Sequence, residues 1–92
     1  MPEKSAFADY RMFPGVSEAW ELERTGLIVI REQLYKLELW RSFSNADIPY
    51  YVSISVQNDG VWQRMADPPF ATGRSGDQAI RDAMVFVTER AA

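Results

Sequence analysis

Between Tyr50 and Val56 the side chains alternate without a break, with Tyr50, Val52, Ile54 and Val56 on one side and Tyr51, Ser53, Ser55 and Gln57 on the other. A period of two is the mark of a half-buried β-strand, and β-branched and aromatic residues suit a pleated surface. Burying the apolar side contributes roughly 6 to 12 kcal/mol, at about 1.5 to 3 per side chain. A slip of one residue would forfeit all of it. Gln57-Asn58-Asp59-Gly60 then reads as a hairpin loop in which Gly60 supplies a positive φ, and Val61 to Met65 returns. The loop length decides where Trp62 goes. A two-residue Asp59-Gly60 loop sets it beside Gln57, whereas the preferred three-residue loop, with Asn58 and Asp59 in right-handed turn geometry, pairs it with Val56.

Upstream, Leu27 to Ile30 is apolar on both faces, which in a sheet means an interior strand or one covered twice. Leu34 to Phe43 alternates Tyr35, Leu37 and Leu39 against Lys36, Glu38 and Trp40, so Arg31-Glu32-Gln33 is a turn between two strands. Ser44 to Pro49 is a polar connection whose proline holds the residue before it extended. Val16 to Gly26 has two readings. Ser17 as N-cap, Glu18 and Glu21 in the first turn and Gly26 as the terminal glycine favour a helix, while the alternation of Trp20 and Leu22 allows a strand; helix is preferred. At the N-terminus Ser5 caps a short helix that gathers Phe7, Tyr10 and Phe13 and ends at Pro14-Gly15. That arm either docks on its own sheet or exchanges with a second chain.

Ala66 to Arg74 reads as a loop, since Pro68-Pro69 bars helix and interior strand alike. Ser75-Gly76-Asp77-Gln78 is a capping box, Ser75 accepting from the Gln78 backbone and Gln78 reaching back. A helix follows from Gly76 to Arg90, with Ala79, Ile80, Ala83, Met84 and Val87 as the stripe that lies on the strands. The expected fold is α+β: an antiparallel three- to four-stranded meander with a C-terminal helix on one face and a partly helical N-terminal segment. Residues 1–92 form one domain, divided into an arm (1–26), a sheet (27–65) and a helix (75–90).

Composition narrows the chemistry. A hydrophobic fraction of 47% with 25% charged residues is that of a globular chain rather than a disordered one. The chain has no cysteine and no histidine, which removes disulfides, thiolate and imidazole metal sites and histidine acid/base chemistry. Glu18, Glu21 and Glu23 have no second cluster of ligands to join, so they read as solvated charge; no catalytic residue, metal site or cofactor is expected. The apolar run Leu27 to Ile30 is far too short to span a membrane, and a cytoplasmic location is the default. A net charge of −3 argues against a phosphate-backbone partner.

The run Phe70-Ala71-Thr72-Gly73-Arg74-Ser75-Gly76-Asp77-Gln78-Ala79, preceded by the strand Tyr50 to Val56 and the loop Asp67-Pro68-Pro69, resembles the HicB-like antitoxin core. That resemblance covers the C-terminal half and implies a protein that docks on and neutralises a small partner. Gly73-Arg74-Ser75 followed by Ala79 and Ala83-Met84 also resembles the helix start of a double-stranded-RNA-binding domain. There lysines grip phosphates across the groove, whereas this chain has Gly76 and Asp77.

The leading expectation is therefore a non-catalytic binding or regulatory module with a protein partner, a homodimer, or both. Trp40, Tyr51, Trp62, Arg41 and Arg64 are the candidate partner or dimer surface, and Arg74 with Ser75 a candidate site at the helix N-terminus. A nucleic-acid binder would use the same arginines and rings for stacking, and an enzyme would have to use carboxylates such as Asp67 or Asp77 with an arginine. The face away from the helix, with Leu27 and Val29 or Ile28 and Ile30, Trp40, Tyr51 and Trp62, calls for a cover. Either the arm with Phe7, Tyr10, Phe13 and Trp20 or a second copy could supply it.

Overall fold

Two tight turns determine how the strands are laid side by side. Arg31 and Glu32 both have positive φ (51° and 69°), as do Asp59 and Gly60 (51° and 79°), the requirement of the type I′ turn whose twist matches that of the strands it joins. The computed structural model describes residues 5–65 and 71–91. The first turn joins β1 (Trp20–Ile30) to β2 (Gln33–Ser42), and the second joins β3 (Tyr50–Asn58) to β4 (Val61–Arg64). All neighbours are antiparallel in the order β1-β2-β3-β4. A short strand β5 (Ala71–Gly73) shares the outer edge of β3 with β4, taking Tyr50 to Val52 while β4 takes Ser55 to Asn58. Between β2 and β3 the chain turns on its own polar side chains: the Ser42 hydroxyl accepts from the Ser44 and Asn45 N–H groups, and Asn45 Oδ1 accepts from those of Asp47 and Ile48.

Helix α1 (Gly76–Ala91) crosses one face of this sheet. Ala79, Ala83 and Val87 are fully buried against Leu37, Leu39, Val52 and Ile54. The stripe read from the sequence is thus the core stripe, narrowed at Met84, which is 40% exposed. Small side chains at Ala79 and Ala83 let the helix axis approach the strands, and each fully buried large apolar residue contributes about 1.5 to 3 kcal/mol. The helix packs on β2, β3 and β5. It leaves the helix-side flank of β1 with less cover.

The structure corrects several expectations. Trp20 to Gly26 is strand, not helix: it pairs with β2 from Ser42 to Leu37, and Gly26 lies mid-strand opposite Leu37 rather than ending a helix. Local capping signals lose here to a long hairpin that pairs β1 with β2 along its whole length, with a bulge between Leu22 and Arg24 taking up the one irregularity. The second hairpin has the two-residue loop, so Gln57 pairs with Trp62, and Trp62 lies on the face away from the helix. Ala71 to Gly73 is a strand where a loop was expected. The capping box is half made: Ser75 Oγ accepts from the Gln78 N–H at 3.4 Å, but the Gln78 side chain donates to Asp82 Oδ1 at 2.9 Å instead of reaching back. The loop Asp67-Pro68-Pro69 and Phe70 lie outside the described residues.

The N-terminal segment is a 3-10 helix, Ala6–Met12, and Ser5 caps it as expected, its hydroxyl accepting from the Phe7 N–H. Tyr10 is buried, whereas Phe7 and Phe13 stay exposed. Ser5 Oγ also donates to Glu21 Oε2 at 3.2 Å, which ties the segment to the beginning of β1. Leu27 and Val29, farther along that strand, remain 59% and 67% exposed. The arm does not cover them.

Candidate interaction face

Register alone assigns the residues to two faces. Because Leu22 pairs with Trp40, Trp40 with Tyr51 and Gln57 with Trp62, all of these lie on the helix-free face, followed along β1 by Leu27 and Val29. Three rings form its centre. Tyr51 meets Trp20 edge to face, centroids 5.0 Å apart at 86°, and lies stacked with Trp40 at 6.2 Å and 11°, both favoured arrangements of aromatic quadrupoles. The Trp40 indole N–H donates to Ser53 Oγ at 3.1 Å, which gives the one polar atom of that ring a partner. Beside the cluster Lys36 Nζ stands 4.5 Å from the Trp62 ring centroid, a cation–π contact.

Charge on this face is mixed. The Tyr51 phenol is held above its usual value of 10.0 chiefly by burial; the Arg64 guanidinium opposes that shift and the Glu38 carboxylate adds to it. Lys36, Glu38 and Arg64 therefore sit among rings as both signs of charge. Next to Trp20 the face continues into an apolar cleft of about 490 Å³, walled by Phe7, Tyr10, Phe13, Val16 and Ala19, with Glu18 at its border.

Of the residues proposed from sequence, Trp40, Tyr51, Trp62 and Arg64 share this face. Arg41 does not. It pairs with Tyr50 and with Glu21, so it belongs to the helix side, where its guanidinium lies over the Phe43 and Tyr50 rings and 3.7 Å from Glu23. Arg74 and Ser75 are exposed at the start of α1, and the Ser75 hydroxyl is engaged as the helix cap. Trp20 belongs to the face rather than to a covering arm, and Leu22 comes with it. The alternation of Trp20 and Leu22 was the signal for both, but it was outweighed by the helix reading of the same segment.

Among the described residues no group of three or more acidic side chains is placed to hold a metal ion, and no helix is long and apolar enough to cross a membrane. Comparison with protein-family models, curated proteins and solved structures finds no match to this chain.

Proposed function

We propose that this chain is a non-catalytic binding module, acting in the cytoplasm, whose partner is a protein held on the helix-free face. The observation that carries this reading is the aromatic centre Trp20, Tyr51 and Trp40 flanked by Leu22, Leu27 and Val29, which are 41%, 59% and 67% exposed. Aromatic anchors surrounded by a polar border are how protein interfaces concentrate their energy. Trp62 under Lys36, Glu38 and Arg64 supply such a border. The HicB-like run from Phe70 to Ala79 favours the same class of partner, a small protein neutralised by docking.

Aromatic rings beside Lys36 and Arg64 also suit a single-stranded nucleic acid stacked on the sheet. Glu38 on that face and the net charge of −3 weigh against it. One experiment separates the two. A photoreactive residue at Leu22 should form a covalent adduct with a single protein species in cell extract, displaced by excess unlabelled chain, whereas the same group at Val85 on the outer helix surface should not. Titration with single-stranded and duplex RNA and DNA should show no binding tighter than about micromolar at physiological salt. Tighter, steeply salt-dependent binding, without the protein adduct, would transfer the face to nucleic acid.

A further inference from the structure

The segment Leu27 to Ile30 is apolar on both faces, a pattern of interior strands, yet it lies at the edge of the sheet. The usual protections of an edge, such as lysine, proline or a bulge, are missing from Gly26 to Ile30, since the bulge of β1 falls earlier, between Leu22 and Arg24. Leu27 and Val29 stand exposed on one face, and Ile28 and Ile30 are half-buried on the other. We propose that the β1 edge pairs with the β1 edge of a second copy of this chain, antiparallel about Ile28, making one continuous sheet of ten strands. The pairing is independent of any partner on the aromatic face.

Backbone direction fixes which groups are on offer. A two-residue hairpin loop closes on a hydrogen-bonded pair, here Ile30 and Gln33, so the N–H and C=O of Ile30 point into the sheet. By alternation those of Ile28 and Gly26 also point inward, and those of Leu27 and Val29 point out from the edge. Antiparallel pairing about Ile28 sets Leu27 against Val29 of the second copy, so that outward groups meet outward groups. Every residue keeps its face.

A second copy also fits the side chains. The same register places Ile30 of the second copy opposite Gly26, on the helix side. There a groove of about 180 Å³ runs between α1 and β1, its apolar walls Ile28, Leu37, Leu39, Ile80 and Met84 and its end at Arg24 and Thr25. A side chain added at Gly26 itself would meet nothing within 4 Å. The position that lacks a side chain thus faces one that carries an isoleucine, and two-fold symmetry fills both grooves at once. Beyond the apolar run the register brings Arg24, which is paired with Asp77 of its own chain at 3.0 Å, opposite Glu32 of the second copy, so that no like charges meet at either end. Joining the edges also sets the two aromatic faces side by side.

The test exploits a chain without cysteine. Ile28→Cys should oxidise to a covalent dimer, because the two copies of position 28 face each other, while Leu22→Cys on the aromatic face should stay monomeric on a denaturing gel. Light scattering should give a dimer for the wild type at micromolar concentration. Val29→Pro removes only an outward N–H and should give a folded monomer by circular dichroism; Val29→Lys should do the same should the proline disturb folding. The proposal is overturned by a wild-type monomer whose Ile28→Cys variant stays reduced. A dimer that tolerates Val29→Pro and Val29→Lys but dissociates with Trp40→Glu would equally overturn it, placing the second copy on the aromatic face instead.

Discussion

Gly76 seats the first turn of α1 directly on Leu39: a Cβ at position 76 would lie 2.9 Å from Leu39 Cδ2 and 3.4 Å from the Arg24 guanidinium. Leu39 is only 1% exposed and cannot swing aside. The contact explains why a helix begins on a residue of poor helix propensity.

Gly76→Val should therefore destabilise the domain by about 1 to 3 kcal/mol through overpacking. Gly26→Ala is the control, since position 26 is open and mid-strand; it should leave stability unchanged or raise it by up to about 1 kcal/mol. Urea unfolding of both variants measures the contrast, and equal losses would mean that the Leu39 contact does not set the helix start.

Ile54 is fully buried between α1 and the strands. Ile54→Ala should cost about 2 to 5 kcal/mol, and Ile54→Asp should leave no folded state, because its charge would enter a core with no partner. A thermal melt of the alanine variant within a degree or two of wild type would show that this face is not the core.

Ser53 is 7% exposed and accepts from the Trp40 indole. Ser53→Ala leaves that N–H without its acceptor and should lower stability by about 0.5 to 1.5 kcal/mol, with a change in tryptophan fluorescence as the ring loses its anchor. Unchanged emission together with an unchanged melt would show that the bond does not hold the ring.

Tyr51 yields a pH dependence with a definite sign. Its phenol loses its proton at higher pH in the folded chain than in the unfolded one, mainly because of burial. Between the two values the unfolded state has fewer bound protons, so stability falls as pH rises. The loss begins near the ordinary phenol value of 10.0 and is absent at neutral pH. Tyr51→Phe should remove this component, so wild type should lose more stability than the variant between neutral pH and pH values above 10.0, as followed by chemical denaturation at each pH. Parallel curves would refute the assignment.

Elements whose burial repeats along the chain were legible in the sequence. The alternation from Tyr50 to Gln57, the Asn58-Asp59-Gly60 run and the Ala79, Ala83, Val87 stripe determined a strand, a hairpin of undecided loop length and a helix on a sheet, because each depends on neighbours within a few residues. Trp40, Tyr51 and Trp62 could be picked out as rings, but their common face could not. One residue of loop length moves Trp62 to the other side, and that choice followed from the positive φ of Asp59 in the folded turn. Tertiary structure alone decided the fate of Trp20 to Gly26. Its capping signals fit a helix until β2 offers a partner from Ser42 to Leu37, and pairing over such a distance outweighs the roughly 0.5 to 2 kcal/mol that a helix cap supplies. With that strand in place Trp20 joins Tyr51, Arg41 falls to the opposite face, and an apolar segment that reads as interior comes to lie at an edge.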